Sequence, residues 1–409
     1  MPRPDQPSSS SLGTGRTVPR GRRPRSVEER RTQRRWCSLL LGLGSLAVCS
    51  PGLSAKVLLV GPERDLRAPS GAAAVAEDGD VVRIDPGEYV DCAIWRADRL
   101  VLEAPEGGAH MRDRACAGKA IWVISGADVT VHHITFSGAR VRDQNGAGIR
   151  AEGRNLTVRN ARFLDNENGI LAAAVEGSTI MIEGSVFEHN GKCAANCAHG
   201  VYANAIDRLK IVASVFRGQR QGHHIKSGAL ALEVIGSTIE DGPEGTASYL
   251  IDVVSGGEVV VADNLMHKGP NSQNWGTAIH IGGKGPAQAR SAYRISGNRF
   301  RSDNPHEVAF VRNRTIIPAV LEGNQLDGAV VPLVGPGTVD AGGALSAREV
   351  TLDQSGKAPR LGAGPEGVAG AVAGQEIEAR LRLLKRLFEQ ALITEQEYTA
   401  KKADLLDRL

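Results

Sequence analysis

Several features that would place this chain in a common class of protein are missing from it. Aromatic residues make up only 4% of its 409 residues. No stripe of lysine and arginine with interleaved aromatics runs through the body of the chain, which argues against a basic nucleic-acid binder. The 49 glycines follow no three-residue period, so the chain is not a collagen. A hydrophobic content of 41% is nevertheless enough for a core, in a chain with many tight turns.

A long hydrophobic run is also absent. The apolar stretch Cys37–Ser50 has 14 residues, fewer than the roughly 20 that a membrane-spanning helix needs. It follows an arginine cluster that ends at Arg35, and it precedes a small-residue segment that ends at Ala55. This order is typical of an export signal cleaved after Ala55. The alternative is an uncleaved membrane anchor with an arginine-rich cytoplasmic tail.

The net charge of +3 conceals an uneven distribution. Residues 1–36 contain ten arginines and three acidic residues, a net +7, so the remainder carries about −4. We therefore predict a disordered leader and signal peptide over residues 1–55 and an exported mature protein, periplasmic or extracellular. The Arg34-Arg35 pair leaves open whether export uses the twin-arginine route.

Four cysteines remain after the predicted cleavage site. They are Cys92, Cys116, Cys193 and Cys197. An even number in an exported chain indicates disulfides, and proximity in sequence favours the pairs 92–116 and 193–197. The alternative is a zinc site at Cys193 and Cys197, with His189 and His199 nearby. We favour the disulfides and predict no metal ligands.

A pair of apolar residues five positions apart recurs through the chain. The eight pairs are Val131/Phe136, Val158/Phe163, Ile182/Phe187, Ile211/Phe216, Val234/Ile239, Val261/Met266, Ile295/Phe300 and Leu321/Leu326. Successive pairs begin 27, 24, 29, 23, 27, 34 and 26 residues apart. Such a period indicates stacked repeats, each of which buries its apolar face only against its neighbours.

The segment before the repeats carries a family resemblance. A short helix is expected over Pro69–Ala76, and the stretch Gly79–Tyr89 has a Gly-Asp-x-Val…Pro-Gly-x-Tyr pattern. This resembles the first coil of the pectate-lyase-like superfamily, in which a small helix caps the open end of a right-handed parallel β-helix. The resemblance covers about residues 70–330. It implies an all-β solenoid of one strand per sheet and coil, but no single activity, because the superfamily includes lyases, hydrolases, epimerases and non-enzymes.

The chain changes character after the repeats. We predict the β-helix with its cap over residues 56–334, a Gly/Ala-rich linker over 335–374, and a small α-helical hairpin over 375–409. The stretch from Ala391 to Leu406 resembles the SHOCT short C-terminal domain. About 35 residues are too few for a strong core, so self-association or a protein partner through these helices is an expectation.

A second apolar column follows the pairs one strand later. It runs through Ile149, Ile170, Val201, Ile225, Ile251 and Ile279, with Phe310 as a weaker continuation. Side chains alternate along a strand, so the flanking residues should point outward. On that basis we predict one outward patch that contains Arg150, Tyr202, His224, Lys226, Asp252 and His280. Gly148, Gly169 and Gly200 should leave a bare bed for an extended chain, while His199 and His223 should face inward with a structural role.

The predicted patch suits the lysis or C5-epimerisation of a uronate-containing polysaccharide. Lys226 is the candidate base, with a pKa lowered by His224 and Arg150 and raised by Asp252. His224 is the alternative base, and Tyr202 or His280 is the candidate acid. Arg150 is expected to bind a substrate carboxylate. The Lys226-Ser227 pair is similar to the Lys-Ser element of some β-helix alginate and chondroitin lyases, although Ile225 stands where those proteins carry asparagine.

Other functions are weighed against this one. Glycoside hydrolysis needs two carboxyls, and only Asp252 lies in the patch. Calcium stays open as a cofactor, because a solenoid can gather carboxylates from several turns. The alternative from a different class is a non-catalytic cell-envelope glycan binder or scaffold, assembled through the C-terminal helices.

Overall fold

A computed structural model describes residues 55–194, 196–284 and 290–340, and five single positions between 381 and 402. The predicted leader up to residue 54, most of the predicted linker and the predicted C-terminal hairpin lie outside these residues. The described body contains one short helix, α1, at Pro69–Val75. Everything else that is regular within it is strand.

The strands form three parallel sheets, and the chain passes through the three sheets once in each coil. Strands are numbered in chain order. Sheet 1 consists of β1 Val57–Val60, β2 Val81–Ile84, β5 Val101–Glu103, β8 Val129–His132, β11 Leu156–Arg159, β14 Val175–Glu183, β17 Ile206–Val212, β20 Ala231–Ile235, β23 Glu258–Ala262, β26 Ala292–Ser296, β29 Ala319–Glu322 and β32 Gly337–Val339.

The other two sheets complete each coil. Sheet 2 consists of β3 Gly87–Tyr89, β6 Ala109–Arg112, β9 Ile134–Ser137, β12 Arg162–Leu164, β15 Val186–Glu188, β18 Val215–Arg217, β21 Thr238–Glu240, β24 Leu265–Lys268, β27 Arg299–Ser302 and β30 Gln325–Asp327. Sheet 3 consists of β4 Ala93–Trp95, β7 Ala120–Ile124, β10 Ala147–Ala151, β13 Asn168–Ala172, β16 Val201–Ala203, β19 Ile225–Ser227, β22 Ile251–Val253, β25 Thr277–Ile281, β28 Val308–Asn313 and β31 Val330–Val334. The architecture is the parallel β-helix predicted from the repeat.

The five-residue apolar pair marks the corner between sheets 1 and 2. The first member of each pair lies on sheet 1 in register with its counterpart on the next coil, as Val131 does with Val158 and Val158 with Ile182. Two positions after this first member, each coil has a residue with positive φ, in the left-handed region of backbone conformation. These residues are His133, Asn160, Gly184, Ala213, Gly236, Asp263, Gly297 and Gly323. The second member of the pair therefore points back into the interior at the start of sheet 2.

The interior contains a stack of rings beside that corner. Phe136, Phe163, Phe187 and Phe216 lie one per coil, with successive ring centroids 5.2, 4.6 and 4.5 Å apart and nearly parallel planes. All four are buried. The second member of each pair thus packs mainly against its own equivalents, as expected for a solenoid whose coils bury their apolar faces only against neighbouring coils.

A polar ladder runs next to the rings and satisfies the corner backbone. Ser185, Ser214, Ser237, Asn264 and Asn298 are all buried, and each accepts a hydrogen bond from the backbone N–H of the equivalent residue one coil earlier. The asparagines also donate to main-chain carbonyls: the Asn264 amide donates to Val234 O at 2.9 Å. The corner groups that strand pairing leaves unpaired are thereby satisfied without water.

Both predicted disulfides are confirmed. Cys92 is bonded to Cys116 and Cys193 to Cys197. The second bond uses both thiolates that the zinc alternative requires, so that alternative is wrong. Two disulfides fit an exported chain. Among the described residues, no helix has the length and apolarity needed to cross a membrane.

The two ends of the solenoid differ slightly from the prediction. Helix α1 occupies the predicted cap position, with Pro69 in its first turn. At the other end, β32 pairs in parallel with β29. It begins at Gly337, inside the segment predicted as linker. The sheet-3 column also needs one correction: Ile279 is in register with Val311 rather than Phe310, whose buried ring packs on Phe300 instead.

Asn264→Ala should destabilise the protein by about 1–3 kcal/mol for each group left unpaired, namely the Ser237 N–H and the Val234 carbonyl. Asn264→Ser should cost less, because three earlier coils carry serine at this position and the hydroxyl still accepts the Ser237 N–H. Equilibrium unfolding in urea measures both. Equal midpoints for the native chain and the alanine variant would show that the ladder contributes nothing.

Candidate functional site

The outward row of sheet 3 has the register that the sequence predicts. Arg150, Leu171, Tyr202, Lys226, Asp252 and His280 pair in succession from β10 to β25, and Arg312 on β28 continues the row. Equivalent residues on adjacent coils lie about 4.8 Å apart. Tyr202, Lys226, Asp252 and His280 therefore occupy neighbouring positions on one face, as predicted.

His224 does not belong to this row, and its predicted outward orientation is wrong. Its side chain is 1% exposed, packs against the interior ring of Phe216 and bonds to the buried carboxylate of Asp241 at 2.9 Å. Strand β19 begins only at Ile225. His224 therefore lies in the corner before the strand, where strict alternation does not apply. His224 and Ile225 both face the interior.

Gly148, Gly169 and Gly200, each one residue before an inward residue of sheet 3, are buried. A methyl group on Gly169 would lie 2.7 Å from the ring of Phe187 and 2.5 Å from the carbonyl oxygen of Gly200. One on Gly148 would lie 2.8 Å from Phe163. The predicted bare bed is thus wrong. Gly148 and Gly169 make room for the ring stack, and a methyl on Gly200 would lie 2.5 Å from the carbonyl oxygen of His224. Leu250 and Ala278, the later residues at this position, are fully buried.

His223 takes the outward place that the sequence analysis gave to His224. Its ring stacks on Tyr249 at 5.0 Å, and the Tyr249 ring stacks on His280 at 4.6 Å. On the other side the His223 ring stacks on the buried His199 at 4.8 Å, and His199 lies edge-on to Tyr202. A column of rings, one or more per coil, therefore borders the outward row.

Asp252 is the centre of this cluster. Its Oδ1 accepts a hydrogen bond from His280 Nδ1 at 2.9 Å, and its Oδ2 lies 3.6 Å from His223 Nε2. Burial alone would raise the pKa of Asp252, but the His280 hydrogen bond and the positive potential of nearby groups outweigh it, so the pKa is lowered. The carboxylate, 8% exposed, is held ionised.

Neither outer histidine offers a free basic nitrogen. Burial lowers the pKa of His223 to about 3, and its Nδ1 accepts the backbone N–H of Tyr249 at 3.1 Å. His280 donates through Nδ1 to Asp252, while its Nε2 accepts from Arg314 Nε at 3.2 Å. In each ring one nitrogen already accepts a hydrogen bond, so its lone pair is occupied. The two rings orient the site and are unsuited to removing a proton.

Lys226 and Tyr202 are the two groups in the row suited to proton transfer. Lys226 Nζ lies over the Tyr202 ring, 4.9 Å from its centroid. Burial lowers the pKa of Lys226, aided by Lys284 and opposed by Asp252. Burial and the charge of Asp252 raise the pKa of the Tyr202 phenol. The amine is thus easier to deprotonate than a free lysine, and the phenol stays protonated.

Arg150 is poorly placed to act with Lys226. Leu171 and Tyr202 separate the two in the row. The guanidinium forms an ion pair with Glu152 at 3.4 Å, and Lys119 also bonds to Glu152. Arg150 already has a carboxylate partner in Glu152, so the predicted role in binding a substrate carboxylate does not fit the geometry.

Three cations near this row, Lys284, Arg312 and Arg314, were not predicted from the sequence. Lys284 is close enough to lower the pKa of Lys226, Arg314 donates to His280, and Arg312 follows His280 in the row. None of them forms an ion pair within the described residues. Arg312 was hidden by the one-residue error at Phe310, and correct register would have found it. Arg314 and Lys284 lie beyond strand ends, where alternation predicts nothing.

A second polar network lies directly beneath the patch. Asp241 accepts from His224 and from the backbone N–H of Gly269, and Lys268 Nζ is 3.8 Å from its other oxygen. Burial lowers the pKa of Lys268 to about 8, against the charge of Asp241. Lys268 also donates to the carbonyls of Ala247 and Ser248. It therefore holds the loop that presents Tyr249.

The outward row is accessible from solvent, because Tyr202, Lys226 and Arg312 are partly exposed and the neighbouring Arg314 is exposed. Two surface concavities of about 320 and 350 Å³ are lined by other residues, and neither includes Lys226 or Asp252. Within the described ranges, no group of three or more histidine, cysteine or acidic residues is arranged to hold a metal ion. An open face of this kind suits an extended polymer better than an enclosed small molecule.

Comparisons with known proteins bear on the fold. A family model described as "Right handed beta helix region" matches residues 110–239. An alginate lyase structure from Paenibacillus sp. is similar with a TM-score of 0.54 and 16% identity, over 69% of this chain and 99% of that one. A PL6 family alginate lyase structure has a TM-score of 0.36 and 17% sequence identity, over 70% of this chain and 40% of that one. No curated protein sequence matches the chain.

Gly169→Ala should destabilise the protein by about 1–3 kcal/mol, the usual cost of overpacking a core, because the added methyl meets Phe187 and the Gly200 carbonyl. Gly276→Ala is the matched control, since a methyl there meets nothing within 4 Å. Thermal unfolding of both variants measures the difference. Were Gly169→Ala as stable as Gly276→Ala, the inward orientation of this position would be refuted.

Proposed function

We propose that this protein binds an acidic, uronate-containing polysaccharide along sheet 3 and cleaves it by β-elimination. The observation that carries the proposal is a set of cations along the Lys226–Arg312 part of the outward row that lack acidic partners. Lys226 lies beside Asp252 in the row, Lys284 acts on Lys226, Arg314 bonds to His280 and Arg312 follows His280. None of these four cations has an ion-pair partner in the described chain. Uncompensated cations on an open face favour a polyanion. The similar Paenibacillus protein is an alginate lyase, which agrees with the proposal without testing it.

The base in the proposed reaction is Lys226. β-Elimination removes the proton at C5 of a uronate, breaks the bond between C4 and the glycosidic oxygen, and forms a C4–C5 double bond. His223 and His280 have their lone pairs occupied, and Asp252 is held as a weakly basic carboxylate. Lys226 has the lowered pKa that a lysine base requires.

The acid in the proposed reaction is Tyr202. The glycosidic oxygen leaves with the bonding electrons and needs a proton, which a phenol of raised pKa retains and can donate. Lys226 Nζ lies over the Tyr202 ring, so base and acid approach the sugar from one side. Elimination can use such an arrangement. Epimerisation needs a proton donor on the opposite face, so we favour elimination.

The substrate carboxylate in the proposed complex lies near Lys284 and Arg314. Removing the C5 proton places negative charge on the adjacent carboxylate, and a nearby cation stabilises that charge. Arg314 is fixed by its hydrogen bond to His280, which is itself fixed by Asp252. Asp252 and His280 thus serve as positioning residues that aim a cation.

Lys226→Arg separates catalysis from binding. Arginine keeps the positive charge but stays protonated at any usable pH, so elimination should fall by at least roughly 10²-fold, as general-base loss usually does, while polysaccharide binding persists. The assay follows the absorbance of unsaturated uronate on alginate, pectate and hyaluronan. Binding is measured separately by co-sedimentation.

Two controls make that result decisive. Lys119→Arg changes a lysine already paired with Glu152 outside the patch, and it should leave the rate unchanged. Binding without product in the native chain would favour the alternative of a non-catalytic glycan binder. Undiminished elimination by Lys226→Arg would contradict the assignment of the base.

Asp252→Asn should shift the pH dependence of elimination. The reaction needs neutral Lys226, so the rate rises with pH as that amine deprotonates. Asp252 raises the pKa of Lys226, so removing its charge lowers that pKa further. The rise in kcat/KM should then move to lower pH, and an unchanged or alkaline-shifted profile would contradict the coupling. The amide oxygen can still accept from His280, which limits other changes.

A further inference from the structure

We infer a second sugar-binding subsite at Trp275 and His306, which stacks on a pyranose ring of the same polysaccharide beyond the Lys226 centre. The inference rests on the proposed function and adds a direction to it. The polysaccharide extends from Lys226 towards the C-terminal coils of the solenoid.

Trp275 is the exposed tryptophan of the described chain. Its side chain is 44% exposed, whereas Trp95 and Trp122 are fully buried. Its ring lies 4.4 Å from the exposed ring of His306, with the planes tilted by 34°. An indole braced in this way presents a large apolar surface at little entropic cost. The C–H face of a pyranose ring is a suitable partner for that surface.

The rings of Trp275 and His306, called the platform below, lie beside the outward row of sheet 3 that carries the proposed chemistry. Trp275 comes two residues before Thr277, the first residue of β25, and His280 lies on that strand. The loop that contains Trp275 packs on the loop before Tyr249, because Ser272 Oγ donates to Ala247 O at 2.6 Å and the Asn271 amide to Pro243 O at 2.7 Å. Platform and ring column therefore share one corner of the solenoid.

Arg312 supplies a charge for the carboxylate of a sugar at this subsite. Its Nε donates to Thr277 Oγ1 at 2.8 Å and its Nη2 to Gly276 O at 3.4 Å, next to Trp275. These bonds fix the guanidinium against the platform loop and leave Nη1 available. Within the described residues Arg312 has no acidic partner, so its charge is free to pair with a uronate.

The opposite direction along sheet 3 is unsuited to a polyanion. Val123 and Leu171 occupy the outward row on earlier coils but are buried in an apolar cluster with Ala120 and Ala147. Tyr202 packs against that cluster, and the one cation between its members, Arg150, is paired with Glu152. Unpaired charge and exposed aromatic surface thus coincide on one side of Lys226.

The spacing sets the length of substrate that reaches the platform. Lys226, Asp252, His280 and Arg312 lie on four successive coils, about 4.8 Å apart. One pyranose unit of an extended chain advances by roughly one coil. A disaccharide bound at Lys226 should therefore not reach Trp275, and a hexasaccharide should.

The test measures binding of alginate and oligogalacturonate fragments to the full chain carrying Lys226→Arg, by tryptophan fluorescence and by calorimetry. We expect a hexasaccharide to change the emission of Trp275, and Trp275→Ala to abolish that change and weaken hexasaccharide binding roughly tenfold. Disaccharide binding should be unaffected. On otherwise native protein, Trp275→Ala should raise KM for long substrates and leave kcat unchanged.

Leu265→Ala is the matched control. It removes an apolar side chain that is 52% exposed on sheet 2, away from the site, and it should alter neither signal. Hexasaccharide binding that is unaffected by Trp275→Ala would overturn the subsite while leaving the proposed function standing. If Trp275→Ala weakened disaccharide and hexasaccharide binding equally, the inferred direction of the polysaccharide from Lys226 towards the C-terminal coils would be overturned. Absence of binding and of elimination with every fragment would count against both proposals.

Discussion

Every coil of this protein must pair residue for residue with the coil before it, because a single coil has no core of its own. The left-handed residue after each sheet-1 position turns the chain at the same place each time. That repetition keeps Phe136, Phe163 and Phe187 in one stack. It also keeps the Ser/Asn ladder in line, so that each corner N–H finds its acceptor one coil later. Loss of register in one coil would break both rows at once.

The same register creates the candidate site. Residues far apart in sequence, such as Tyr202 and His280, become neighbours because coils stack at one strand spacing. The buried His224–Asp241–Lys268 network lies under that face and ties down the loop before Tyr249. Buried charges are costly unless they are paired and hydrogen-bonded, and here each has partners. His224, Asp241 and Lys268 thus hold the loop before Tyr249 in place. The outer face above them carries unpaired positive charge.

How far the site could be predicted depended on how far strand alternation holds. Within strands it held: Lys226 and Asp252 face outward in register. At corners it failed, and His223 and His224 exchanged roles because β19 begins only at Ile225. Gly169 is an exception within a strand: it is the second residue of β13, where the pairing with β10 is irregular, and a methyl group there would point to Phe187. The shift from Phe310 to Val311 hid Arg312, because strand β28 follows a loop whose length the repeat does not fix.

The sequence alone determined the stacked coils, both disulfides and the outward positions of Lys226 and Asp252, and the family resemblance implied the parallel β-helix. These follow from periodic apolar positions and from cysteine spacing, which are local or repeated signals. Only the tertiary structure decided which histidine faces outward, that Asp252 is held by His280, and that Arg314 bonds to the same histidine. Those facts depend on the conformation of corners and loops. There no periodic constraint applies, and the path of the backbone is set by packing against the neighbouring coil.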